Sequence, residues 1–137
     1  MIIKYILFFT LTLSGLYGEV VVVTNTHSNI ETLDKQSVRS IFLGKKQFLS
    51  NGQRITIVDQ ERDSEVFTPF YIIATGKRPS QLSKYRIKRI FTGEMKTPKE
   101  VSSSSELIDF LINHKNSIGY LKKSELTPEL KVLYTLE

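Results

Sequence analysis

Residues 55–71, ITIVDQERDSEVFTPFY, change period partway along. Arg54 to Asp59 alternates the apolar Ile55 and Ile57 with polar residues, as a half-covered strand does. Val66, Phe67, Phe70, Ile73 and Ala74 then fall at i, i+1, i+4, i+7 and i+8, the spacing of a helix face packed on a core, and Gly76 ends the run. One short stretch therefore carries a strand into a helix. Such a turn gathers unpaired backbone N–H groups and the positive end of a helix dipole, which suits an anion. Here Glu61, Asp63 and Glu65 crowd it. Acidic side chains in a first turn satisfy that dipole themselves, so the junction reads as partly self-occupied. Pro69 leaves the helix start open. A start at Ser64 puts the proline where its missing N–H distorts the helix, and a start at Thr68 puts it at the favoured first position.

Outward from this junction, the same alternation of signals continues. Val20 to Thr24 is an unbroken β-branched run, too short for a helix and suited to a buried strand. Asp34 can cap a helix carrying Val38, Ile41 and Phe42, with Gly44 ending it. Asn51-Gly52 marks the turn before Arg54. Pro79-Ser80 opens a third helix that runs to Phe91, and Ser103 with Glu106 forms the capping box of a fourth, whose apolar residues are Leu107, Ile108, Phe110 and Leu111. Ser117–Leu121 and Lys131–Leu136 read as strands. Strands alternating with helices predict an α/β fold, a mixed sheet flanked by helices. The echo between Ile41-Phe42-Leu43-Gly44 and Ile90-Phe91-Thr92-Gly93 is two similar helix endings and not a duplicated domain.

The 137 residues fit one domain. Residues 1–18 have the three-part pattern of a secretory signal peptide: Lys4 in a short basic start, an apolar run from Tyr5 to Leu13, and small residues before Glu19. Cleavage is expected after Gly18, leaving a domain at 19–137. An uncleaved anchor is the alternative, but the apolar run falls short of the ~20 residues that span a bilayer. The chain has no cysteine, so neither a disulfide nor a lipidated cysteine is available. A periplasmic location follows most directly. Removing Lys4 from 19 basic residues leaves 18 against 14 acidic ones, a net charge of +4 on the mature chain. That excess suits an anionic ligand, and it equally suits solubility.

Other signals carry less. Lys84, Arg86, Lys88 and Arg89 place four cations in one helix, which reads first as a solvated face. A nucleic-acid partner is not expected for an exported chain. His27 and His114 lack metal-ligand spacing, and the serines at 102–105 are explained by the capping box. Asp59, Glu61 and Asp63 alternate in a way that could suit a hard cation, but without the spacing of a calcium loop, helix capping accounts for them better. No catalytic constellation is present, and neither enzymatic activity nor a cofactor is expected.

Taken together and in order, SIFLGKKQF (40–48), NGQRITIVDQ (51–60), RIFTGEMKTPKEV (89–101) and NSIGYLKKSEL (116–126) resemble the small PBP-like domain proteins related to phosphate ABC transporter substrate-binding proteins. The match covers about Val20 to Leu136. The resemblance implies a single lobe of the type II periplasmic-binding-protein fold, with a ligand at strand carboxyl ends and helix N-termini. It also implies that a dimer or a partner would have to supply the other side of the cleft. In the phosphate binders the strand resembling Ile55–Asp59 is followed by an arginine and a Gly-Ser-Gly-Thr turn. Here Gln60 takes the arginine's place, Ser64 matches the serine, and Asp63, Glu65 and Val66 replace the glycine, glycine and threonine. Glutamine lacks arginine's charge and bidentate geometry, while Arg62 either compensates or pairs with a neighbouring carboxylate.

The expected ligand residues are Thr24 and Asn25 at the end of the first strand and Gln60, Arg62 and Ser64 at the second junction. The expected function is a secreted, non-enzymatic binder of phosphate or another small anion, working with an ABC transporter. The alternative is a cell-envelope interaction or assembly module that has lost its ligand and turns the old ligand face or the basic third helix toward another protein.

Overall fold

Val20–Asn25 forms β1, and every one of its residues is buried. A computed structural model of the protein describes residues 19–137; the expected signal peptide, at residues 1–18, lies outside them. The β-branched run needs no polar alternation because both faces of the strand are covered. Val20 and Val22 join one apolar cluster while Val21 and Val23 join another. The remaining strands are β2 (Thr56–Gln60), β3 (Lys99–Val101), β4 (Ser117–Lys122) and β5 (Leu130–Thr135). They form one five-stranded sheet in the order β3-β2-β4-β1-β5. β2 is parallel to β3 and β4, and β1 is antiparallel to both β4 and β5. The sheet is therefore mixed, as expected, with β1 the one strand running against the others.

Helices cover both faces. α1 (Lys35–Phe42) starts at Asp34, whose carboxylate accepts from the Ser37 N–H at 2.7 Å. With α2 (Phe67–Thr75) and α3 (Pro79–Phe91), it packs the larger cluster, which includes Phe42, Phe70, Tyr71 and Tyr120. α4 (Ser104–Asn113) covers the other face through Leu107 and Leu111, and its capping serine, Ser103, accepts from Glu106 N–H as expected. Gly119 on β4 is what lets α4 sit so close, since a Cβ there would stand 2.6 Å from Leu107 Cδ1. Edge strand β3 was not foreseen. It has only three residues, too few for a period to show.

Candidate functional site

The junction after β2 is where the expected ligand edge lies, because β2 and β4 end on the same side of the sheet. Glu61 N–H continues the sheet pairing by donating to Val101 O at 3.1 Å, and Ser64 N–H closes a turn onto Glu61 O at 2.9 Å. α2 then begins at Phe67, between the two expected starts. Pro69 is the third helical residue, still within the first turn, where no intrahelical N–H is required. The first helical bond falls on the next residue, Phe70 N–H to Val66 O at 3.0 Å. The proline therefore costs the helix no hydrogen bond.

The carboxylates do not cap this helix, contrary to the expectation of a self-occupied junction. Val66 is the N-cap residue and offers no side-chain bond, and the first turn of α2 contains no acidic residue. Glu65 turns aside to pair with Lys122, which holds the Glu65 carboxyl below and the Lys122 ammonium above their ordinary values. Among the described residues, Glu61 and Asp63 form no ion pair. The N–H groups of Arg62, Asp63, Glu65 and Val66 donate to no other backbone group there. The Ser64 Oγ is buried without a hydrogen-bond partner.

Beneath the junction lies a polar core missed from sequence. Ile55, Ile57 and Asp59 share one strand face, so Asp59 points into the aromatic cluster and not toward a cation site at the edge. Its side chain is 6% exposed, and that of Arg86, which reaches it from α3, is 11% exposed. Arg86 Nη1 donates to Asp59 Oδ2 at 2.6 Å, and Nη2 donates to Phe42 O at 3.1 Å and to the Tyr71 hydroxyl. Tyr71 and Tyr120 both donate to Asp59 Oδ1. Burial first, and then the Asp59 charge, pushes both phenols well above their ordinary pKa. The Tyr120 hydroxyl also accepts from Gln60 N–H at 3.3 Å, tying this core to the last residue of β2.

The basic run on α3 is thus only half a solvated face. Lys84 and Lys88 are exposed, whereas Arg86 enters the core and Arg89 Nη2 donates to Gly44 O at 3.0 Å. Positions 84 and 88 share one side of a helix and 86 and 89 share another, so the four cations cannot form a single face. That spacing, with an inward carboxylate on β2, was the signal that could have exposed the pair.

The five expected ligand residues do not converge. Gln60, Arg62 and Ser64 stand at the junction, but Thr24 and Asn25 sit at the opposite edge of the sheet. β1 runs antiparallel, so Thr24 lies beside Ile118 near the start of β4, level with Ile57. Asn25 is about 13 Å from the Gln60 level along the strand direction alone. Both are buried, and their polar atoms are used internally. Thr24 Oγ1 donates to Ser117 O at 2.7 Å, and Asn25 Nδ2 donates to Leu111 O and Ile112 O. Gln60 is also committed, its Nε2 donating to Tyr120 O at 3.0 Å. Arg62 pairs with no carboxylate; it is exposed, and its Nη2 donates to Ser83 Oγ at 2.9 Å. Arg62 and Ser83 flank a shallow cavity of about 290 Å³ between the end of β2 and α3. Both histidines are exposed, and no cluster of metal-ligating side chains occurs among the described residues.

No protein-family model and no curated protein matches the chain. Solved structures do. An ABC-type phosphate transport receptor from Vibrio cholerae superposes with a TM-score of 0.64 at 13% identity, covering 84% of this chain and 45% of that one. A phosphate ABC transporter substrate-binding protein structure from Clostridium perfringens, with bound phosphate, gives 0.67 at 17%, covering 84% and 44%. PstS from Borrelia burgdorferi gives 0.63 at 15%, covering 84% and 46%. The chain spans less than half the length of each. At these identities the likeness establishes fold: the chain has the architecture of a single periplasmic-binding-protein-like lobe, as found in phosphate-receptor structures.

Proposed function

We propose that the protein is a non-enzymatic binding lobe of the cell envelope that receives a small oxyanion, phosphate or a close analogue, at the β2–α2 junction. One observation carries this reading: the junction N–H groups at 62, 63, 65 and 66 are left unpaired by backbone and by the neighbouring carboxylates alike. Unpaired donors at the positive end of a helix dipole are the chemistry that holds an oxyanion. Arg62 supplies charge at the rim, and the Ser64 hydroxyl, enclosed beside these N–H groups without a partner, becomes a further donor when the turn shifts to admit the anion. Gln60, Thr24 and Asn25 play no direct part, since their side chains are spent inside the fold. The leader pattern of residues 1–18 supports export to the periplasm, and the fold supports work beside an ABC transporter.

A single lobe reaches one side of an anion, so a tight cleft needs a second copy or another chain. Alone, the site is expected to bind with a dissociation constant on the order of 1 mM, about −4 kcal/mol. Nuclear magnetic resonance tests this directly. Phosphate should shift the amide signals of Arg62, Asp63, Glu65 and Val66 in a saturable way, and Ser64→Ala should weaken the effect. Unmoved amides at about 50 mM phosphate would end the oxyanion reading.

A second reading, an envelope assembly module, is favoured by the outer face of α3. Phe91 is 91% exposed and Ile87 68% exposed, and they alternate with Lys84 and Lys88 along one stripe. If phosphate has no effect while Phe91→Ser abolishes assembly with an envelope protein, this second reading takes over.

A further inference from the structure

The opposite end of β2 borders a larger cavity, about 560 Å³, between the amino end of the strand, the segment after α1 and the loop after α3. Its floor is apolar: Ile55, Ile57 and Met95 are 6%, 9% and 5% exposed. Met95 packs onto Gly44 so closely that a Cβ there would stand 2.6 Å from the sulfur. The rim is cationic. Arg54 is held in place entirely by neutral groups. Its Nη1 donates to Gln47 Oε1 at 2.9 Å, its guanidinium lies 4.6 Å from the Phe48 ring centroid, and Gln47 is itself fixed by donating to Glu94 O at 2.7 Å. Lys96 stands on the same rim, exposed. The ion pairs among the described residues involve neither Arg54 nor Lys96. Lys99 also borders the cavity, but its ammonium lies on the other side, 5.8 Å from the Phe110 ring centroid.

An oriented guanidinium with no carboxylate partner, beside the exposed Lys46 and Lys96 and above an apolar floor, matches an anionic head on an apolar body. The volume suits a small organic molecule. We propose that this cavity is a second binding site, for a compact amphiphilic anion whose apolar part lies on Ile55, Ile57 and Met95 and whose sulfonate, phosphate or carboxylate meets Arg54 and Lys96. The site lies at the other end of the same strand from the junction, and only Thr97 and Pro98 border both cavities.

The test compares three probes by isotope-edited resonance titration: naphthalene-1-sulfonate, uncharged 1-naphthol and inorganic sulfate. The sulfonate should shift the amides of Arg54, Thr56, Lys96 and Thr97 and bind at least about 10-fold more tightly than either of the others. Arg54→Gln should weaken it by about 10-fold, and Ser64→Ala should leave it unchanged. Should Arg54→Gln perturb the fold, Lys96→Gln, at an exposed position, provides the same comparison with an expected loss of about 3-fold. Equal binding of 1-naphthol would make the site a purely apolar patch, and equal binding of sulfate a purely charged one; either result overturns the proposal. So would sulfonate shifts confined to Ile87 and Phe91 or to the junction.

Discussion

Replacing Arg86 with methionine is the sharpest perturbation of the polar core beneath the junction. The substitution keeps an apolar stem but removes the donors to Asp59, Tyr71 and Phe42 O. Asp59 would remain as a buried carboxylate facing only two phenols. Breaking a buried ion pair from one side costs about 3–5 kcal/mol, because the remaining charge has lost both water and partner. With a urea slope of about 1.5 kcal/mol per M for a chain of this size, the midpoint should fall by about 2–3 M. Far-UV circular dichroism during urea titration measures this. The informative comparison is Arg86→Met with Asp59→Asn added. Neutralising the stranded carboxylate should leave the double variant's loss at least about 1.5 kcal/mol below the sum of the two single losses, a coupling energy expected of residues in direct contact. A single-variant loss below about 1 kcal/mol, as for an exposed pair, would mean that Arg86 and Asp59 are not held as a desolvated pair. So would a double variant whose loss equals the sum of the two single losses.

Two further outcomes follow from the same core and its surroundings. Tyr71 and Tyr120 have folded-state pKa values raised well above their ordinary value, so they stay protonated in the fold while the unfolded chain ionises them. Their contribution is fully present below pH ~10 and is lost as pH climbs toward the folded values, at about 1.4 kcal/mol per pH unit for each phenol. Urea melts above about pH 10 should approach that slope, and Tyr71→Phe should lessen it by one proton's worth. Gly119→Ala should destabilise by about 1–3 kcal/mol, since the added methyl meets fully buried Leu107. Thermal melts check this, and Leu107→Val in the same chain should recover part of the loss.

The fold was largely legible because its signals are local and redundant. The β-branched run at 20–24, the Asp34 cap, the Ser103–Glu106 capping box and the period change at 55–71 each identify an element without tertiary information. Direction in the sheet was not legible. Nothing in VVVVT tells whether the strand runs with or against its neighbours, and that single bit moved Thr24 and Asn25 to the far edge. The helix start could not be settled either, because a proline is tolerated anywhere in a first turn and Phe67 satisfies that rule as well as Thr68 would. Side-chain commitment was the hardest to see. Gln60, Asp59 and Arg86 look like surface polar residues in sequence, and only the close packing of β2, β4 and α3 shows them bonding to one another's neighbours. The acidic junction misled for a related reason: Glu65 had a cross-chain partner in Lys122, far away in sequence, and did not serve the helix beside it.

On the proposed reading the β2–α2 junction accepts an oxyanion, and its acidic residues weaken the site without closing it. Calorimetric titration of phosphate into the purified protein at fixed salt, beside the variant Glu61→Gln with Asp63→Asn, tests this most directly. Each carboxylate at ~7 Å opposes the anion by about 0.6 kcal/mol in water, so removing both should tighten binding by roughly 5- to 10-fold. Saturable heat in the parent protein, stronger in the variant and lost in Ser64→Ala, is the predicted result. No heat in either the parent or the neutralised variant would contradict it and leave the exposed face of α3 as the functional surface.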